Sequence, residues 1–167
     1  MRSHGGHAAM TIVELVKMLA EPLDVAVLLT DIDLERPGPT ILYANPAFAR
    51  MSGYAISQVL GGSPRLLQGS GTSREATRMV ARSLRTDGRF RGVLQNYRPS
   101  GEAYLCEIDV RAILDRAGSP QAFIAFEREV VRRRGRPSQN TAGRYRPLTQ
   151  TSLDCATLLS VATALFA

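Results

Sequence analysis

The side chain that asks most of its surroundings is Glu127. It ends the run Phe123-Ile124-Ala125-Phe126-Glu127, a strand pattern that is apolar on both faces. A carboxylate facing inward from such a strand needs a partner: an arginine, a backbone amide or a ligand. Other chemistry is sparse. Two cysteines, Cys106 and Cys155, cannot build a disulfide framework, and no Cys/His cluster is spaced for zinc. Cys106 falls in an alternating stretch and reads as a small core residue, since free cysteine is commonly buried and inert. No nucleophile–base pair, phosphate-binding loop or pair of catalytic acids stands in a recognisable frame, so an enzyme is not expected. Arg74, Arg78, Arg82 and Arg85 recur at helical spacing, the pattern of a solvated helix face.

These residues need a scaffold, and 167 residues supply about one domain with some thirty to spare. At 44% hydrophobic, 22% charged and a mean hydropathy of −0.08, the chain has the composition of a soluble globular protein. No apolar run reaches the ~18 residues of a membrane span. The opening MRSHGGHAAM has no apolar core of a secretory signal, so the expected compartment is the cytoplasm. The net charge of +6 is unevenly placed. Residues 131–167 carry six arginines against a single acid, Asp154, so the basic character belongs mostly to a tail.

The elements can be read in order. Residues 1–22 form an N-terminal segment without pattern and then a short amphipathic helix. Thr11-Ile-Val-Glu14 is a capping box, and Ile12, Leu15, Val16 and Leu19 make one stripe. Val25–Leu29 and Thr40–Ala44 read as a hairpin with a long, turn-rich loop. Asn45-Pro46 starts a helix, and short helical pieces run to about Leu67. Thr72-Ser-Arg-Glu75 reads as a second capping box. It opens a helix to about Arg85, with Ala76, Met79, Val80 and Leu84 inward. Phe90–Arg98, Ala103–Ile113 and Gln121–Val130 are strands joined by turns at Pro99-Ser-Gly101 and Arg116–Pro120. The sum is α+β with one antiparallel sheet.

The last strand leaves Ile124 and Phe126 on an outer apolar face that wants a cover, either a flanking helix or a second subunit. With the amphipathic helix it predicts a homodimer. Residues 132–167 read as a basic linker and a helical tail over Leu153–Phe166. Arg134-Gly-Arg-Pro137 resembles the core of an AT-hook, whose arginines lie in the A·T minor groove, and Gly143-Arg-Tyr-Arg-Pro147 echoes it. Where 20 of 21 cations are arginine, a solvated linker is the better reading, and nucleic acid is not expected as a partner.

The order of elements, with Tyr43-Ala-Asn45-Pro46-Ala-Phe48 and Met51-Ser-Gly53-Tyr54, resembles the PAS fold, and within it the light-oxygen-voltage (LOV) subfamily. The likeness runs from about Val25 to Val130 and is strongest at Gly61-Gly-Ser-Pro-Arg65-Leu-Leu-Gln68-Gly69, where LOV photoreceptors have Gly-x-Asn-Cys-Arg-Phe-Leu-Gln-Gly. Asn96-Tyr97-Arg98, Gly101, Tyr104 and Phe123-Ile124-Ala125 keep the spacing. The resemblance implies a PAS/LOV-like domain over 23–131: a five-stranded antiparallel sheet, helices on one face, flanking terminal helices and a pocket for FMN.

The resemblance also implies altered chemistry. The cysteine that adds to the flavin falls on Pro64, which has no thiol, and the asparagine before it on Ser63. The two asparagines that read the ring's polar edge fall on Asn96 and Cys106, and the ring-sensing glutamine on Glu127. Arg65 and Gln68 match family positions. The second phosphate arginine falls on Ala81, with Arg78 and Arg82 as substitutes. A thiol offers one weak donor where an amide offers donors and an acceptor, and an ionised Glu127 would repel a ring carbonyl unless burial kept it protonated. The expectation is a sensory or regulatory domain that binds FMN non-covalently, without cysteine-adduct photochemistry, and signals through its terminal helices to a downstream protein. The alternative is a ligand-free dimerisation or docking module.

Overall fold

The computed structural model describes residues 10–134 and 143–149. The expectations for the first nine residues, for Gly135–Pro137 of the AT-hook-like stretch and for the Leu153–Phe166 helix lie outside the described residues. Helix α1 (Ile12–Ala20) begins with the expected capping box: the Thr11 hydroxyl accepts from the Glu14 amide, and the Glu14 carboxylate accepts from the Thr11 amide. Leu15, Val16 and Ala20 are its buried side. Strands β1 (Ala26–Thr30), β2 (Ile41–Ala44), β3 (Arg89–Tyr97), β4 (Ala103–Leu114) and β5 (Pro120–Arg132) form an antiparallel sheet in the order β2-β1-β5-β4-β3.

Period-two alternation divides the sheet into two faces. On the outer face Val27, Leu29, Ile113, Ala122, Ile124 and Phe126 pack with Val16 and Ala20 of α1. The cover that this face requires is therefore the chain's own helix, and Ile124 and Phe126 are buried within one copy. This corrects the ground on which a homodimer was expected. The inner face carries α2 (Pro46–Ser52), α3 (Ile56–Val59), a 3-10 turn (Pro64–Leu67) and α4 (Arg74–Asp87), over two apolar clusters built around Leu28, Ile41 and Phe48 and around Cys106, Ile108 and Phe123.

Asn45 joins the layers. Its side-chain oxygen accepts from the amides of Phe48 at 3.0 Å and Val27 at 2.9 Å, and its nitrogen donates to the carbonyls of Ala20 at 3.0 Å and Val25 at 2.9 Å. One fully buried amide thus caps α2, holds the end of α1 and fixes the start of β1. Gly53, at φ 78°, and Gly88, at φ 65°, end α2 and α4 in the left-handed region that favours glycine.

Three local expectations shift. The α4 cap is Ser73, whose hydroxyl accepts from the Ala76 amide at 3.2 Å; Thr72 instead accepts from Gly69 and donates to the Gln95 carbonyl. Met79 points outward, 51% exposed, because the inward row is Thr77, Val80, Ala81 and Leu84. Part of the expected linker is a sixth strand, β6 (Tyr145–Pro147), pairing antiparallel with the end of β5.

Candidate functional site: a pocket under helix α4

The inner sheet face, α4, the 3-10 turn and the loop before β2 enclose a cavity of about 130 Å³. Its floor is apolar: Leu28 of β1, Phe123 and Ala125 of β5, Ile108 and Val110 of β4, and Leu94 of β3. Its wall is the α4 row Thr77, Val80, Ala81 and Leu84, with Pro64, Leu67, Leu34 and Pro39 closing it. Polar groups reach it from three sides: Asn96 from β3, Glu127 from β5, and Arg65 and Gln68 from the 3-10 turn.

Glu127 is fixed by register. It lies opposite Ile108 on one side and Ala26 on the other, so the pleat turns its side chain inward among apolar neighbours, where it is 5% exposed. Its side-chain hydrogen-bond partner is the Cys106 thiol, with Sγ 3.6 Å from Oε2. Burial disfavours the charged form, and the carboxyl's pKa rises to about 7 despite the small opposing effect of the thiol. The Cys106 thiol is pushed well above its usual range by burial and by Glu127. Tyr104, on the same face, is also pushed up by burial, and its buried hydroxyl is left without a hydrogen-bond partner. At this end of the pocket Glu127 is therefore the ionisable group on the cavity surface, with the raised-pKa thiol of Cys106 hydrogen-bonded to it.

Arg65 is engaged within the chain. Its Nε donates to the Gly38 carbonyl at 2.9 Å and its Nη2 to the Leu34 carbonyl at 3.2 Å, which ties the 3-10 turn to the loop roofing the cavity. Ser63 caps that turn, accepting from the Arg65 amide at 3.3 Å, and does not line the cavity. Cys106 lies behind Glu127 rather than on the cavity surface, while Pro64 is on the surface. Arg78 and Arg82 are exposed on α4, and the cavity is lined by their neighbours Thr77 and Ala81. Of the expected site residues, the structure thus brings together Pro64, Arg65, Gln68, Asn96 and Glu127.

The sequence reading placed Arg98 in the Asn96-Tyr97-Arg98 stretch but gave it no role. Its guanidinium binds Glu129 at 2.8 Å and Glu102 at 3.2 Å, donates to the Met51 carbonyl and lies 4.5 Å over the Tyr104 ring. It joins the β3–β4 hairpin, β5 and the end of α2 at one edge of the site. Only Glu102 and Tyr104 are near it in sequence; the contacts that tie it to α2 and β5 are 47 and 31 residues away. The loop residues Leu34 and Pro39 were missed for the same reason.

An antiparallel sheet in the order β2-β1-β5-β4-β3, with helices over its inner face and a pocket between them, has the architecture of a PAS domain. A family model described as "PAS domain" matches residues 24–131, and the chain belongs to that family. It is 37% identical over 112 residues to a nitrogen fixation regulatory protein of Klebsiella oxytoca, covering 67% of this chain and 22% of that protein. Its fold is similar to the LOV domain of the blue-light activated histidine kinase of Erythrobacter litoralis: TM-score 0.59, 26% identity, 64% of this chain and 96% of that one. A light-oxygen-voltage domain whose mechanism was probed with a flavin analogue gives a TM-score of 0.62 at 26% identity, over 72% and 86% of the two chains. The chain spans about a fifth of the length of the curated relatives it matches. Among the described residues no helix is long and apolar enough to cross a membrane.

Proposed function

We propose that this chain is a sensory or regulatory domain of LOV ancestry whose pocket takes FMN without a covalent bond. The observation that carries the reading is Glu127: a buried carboxyl, its pKa raised to about 7 so that it holds its proton below neutral pH, lining a cavity beside Asn96. Neutral, it donates a hydrogen bond much as an amide would, so the Asn96 and Glu127 pair suits the polar edge of a flavin ring. The donor set fits FMN. The size fits only after movement, since about 130 Å³ holds a single aromatic ring.

Arg65 supplies the means of widening. A phosphate offers its guanidinium two anionic oxygens in place of the Gly38 and Leu34 carbonyls, a stronger and bidentate pairing. Arg65 would then release the roof loop as FMN binds, with Gln68 beside it and Arg78 and Arg82 on the outer side of α4 as further cations. Bound flavin supplies blue-light absorption and one-electron redox chemistry. Glu127 holds a proton in a site sheltered from water and is placed to hand it to a neighbouring acceptor. Pro64 stands where the resemblance puts the adduct-forming cysteine, and Cys106 lies behind the ring-edge carboxyl, so neither offers a thiol to the ring's reactive carbon. A change in the pocket would reach α1 through Asn45, which grips both α1 and α2, and thence a second copy or a downstream signalling protein.

The closed cavity and the internal bonds of Arg65 favour a second reading, a ligand-free docking module. Purification with added FMN separates the two. A yellow protein with structured flavin absorbance supports the first; a colourless protein that takes up no FMN at millimolar concentration supports the second.

A further inference from the structure

The pairing of β6 with β5 gathers charge that the sequence leaves scattered. Arg132, Arg133 and Arg134 continue from β5; Arg144 and Arg146 come from or adjoin β6. The register sets Arg132 opposite Tyr145 and Val131 opposite Arg146, and the Arg133 amide donates to the Arg144 carbonyl at 2.8 Å. Five exposed arginines thus share one short two-stranded ribbon beyond β1. Arg132 is on the face of Tyr145 and Arg146 on the opposite face with Val131, so that guanidinium groups flank both sides of the ribbon. Val131, Arg132, Arg134 and Arg146 line a groove on it. None of the five has a carboxylate partner among the described residues. The nearest acid on β5, Glu129, is already bound to Arg98.

Uncompensated guanidinium groups held at strand spacing suit a regular array of phosphates. Each can meet two phosphate oxygens, and the backbone pairing restrains their spacing before any partner arrives. Two strands lie about 4.8 Å apart, so with its side chains such a ribbon fits a B-form major groove about 12 Å wide, whereas the deep, narrow major groove of A-form RNA excludes it. Tyr145, amid the arginines, adds a planar face. We propose that the β5–β6 arginine ribbon is a docking surface for double-stranded DNA, held mainly through its phosphates. Contact through phosphates carries no sequence information, so the surface binds duplex with little sequence preference. This surface is separate from the pocket and stands whether or not the pocket holds a ligand.

The test is fluorescence anisotropy with the full chain and a labelled DNA duplex of about 20 base pairs. With five contacts, raising KCl from 50 to 200 mM should weaken binding about 10²- to 10³-fold, because each contact releases counterions. A triple variant, Arg132→Gln, Arg134→Gln and Arg146→Gln, should weaken binding at least tenfold at 50 mM and flatten the salt slope by about three. The control is Arg74→Gln, Arg89→Gln and Arg116→Gln, which removes the same charge from exposed positions away from the ribbon and should bind as the parent does. Circular dichroism checks that both variants keep the parent's fold. Equal weakening by the two triples would overturn the proposal, because net charge alone would then be responsible. So would absent or salt-insensitive binding, equal affinity for an RNA duplex, or tighter binding to phosphatidylserine vesicles than to DNA.

Discussion

Replacing Glu127 by glutamine should make this protein more stable, by an amount that depends on pH. The carboxyl's pKa is near 4.5 in an unfolded chain and about 7 in the pocket, a difference worth about 3 kcal/mol. Between those values the folded protein holds a proton that the unfolded chain has released. Stability from this group therefore falls as pH rises through the window and levels off above about 7. The groups facing Glu127 do not titrate there: Cys106 and Tyr104 from β4 are both pushed upward, Asn96 is uncharged, and β1 presents only Ala26 and Leu28. Glu129, two residues along β5, is paired with Arg98 at 2.8 Å, and Arg65, which lines the same cavity, is hydrogen-bonded to backbone carbonyls. Glutamine fills the same space, carries no proton to lose and donates one amide hydrogen toward the cavity. Urea unfolding of both proteins at pH 4.5 and pH 8 is the assay. Every other titrating group is common to the two, so their difference isolates this carboxyl. The glutamine variant should be close to the parent at pH 4.5 and gain about 3 kcal/mol relative to it by pH 8. A stability difference that varies by less than about 1 kcal/mol across that range would show that Glu127 is ionised in the fold, and the neutral-donor argument for the pocket would fall with it.

Other outcomes follow from the same geometry. With FMN bound, blue light should produce no near-ultraviolet adduct band, while Pro64→Cys should introduce one; an adduct in the unaltered chain would refute the placement of Pro64 and Cys106. Arg65→Ala removes two charge-assisted hydrogen bonds to the roof loop and should cost about 1–3 kcal/mol by urea titration. It should also abolish any preference for FMN over riboflavin in equilibrium dialysis. Asn45→Ala strips four bonds from buried backbone groups and should cost about 3–5 kcal/mol, with thermal unfolding as the measure. Removing residues 1–21 uncovers Ile124 and Phe126, each worth about 1.5–3 kcal/mol when buried, and should raise the mass in light scattering above that of the parent. An unchanged mass would mean that α1 is not their cover.

Much of the scaffold was legible because its signals are local. Alternation identified β4 and a run apolar on both faces identified β5, Thr11 to Glu14 marked the start of α1, and Asn45-Pro46 marked the start of α2; each depends on residues close in sequence. The resemblance added order and distance, which is why Asn96 and Glu127 could be named as neighbours before any contact was known. What the chain could not declare depends on partners far apart in sequence. Arg65 binds carbonyls 27 and 31 residues upstream, so its engagement with the roof loop is a product of the loop's path. Met79 and Thr77 exchange inward and outward places through a small rotation of α4, which helical periodicity alone does not resolve. Whether Phe126 meets a second subunit or the chain's own helix was settled by where α1 lands, more than 100 residues earlier. The arginines around 132 and 146 read as a solvated linker until β6 paired with β5. Side-chain chemistry and short-range pattern are written in the residues themselves; which groups share a pocket, and which charges stand together, is decided by chain crossings that only the folded packing selects.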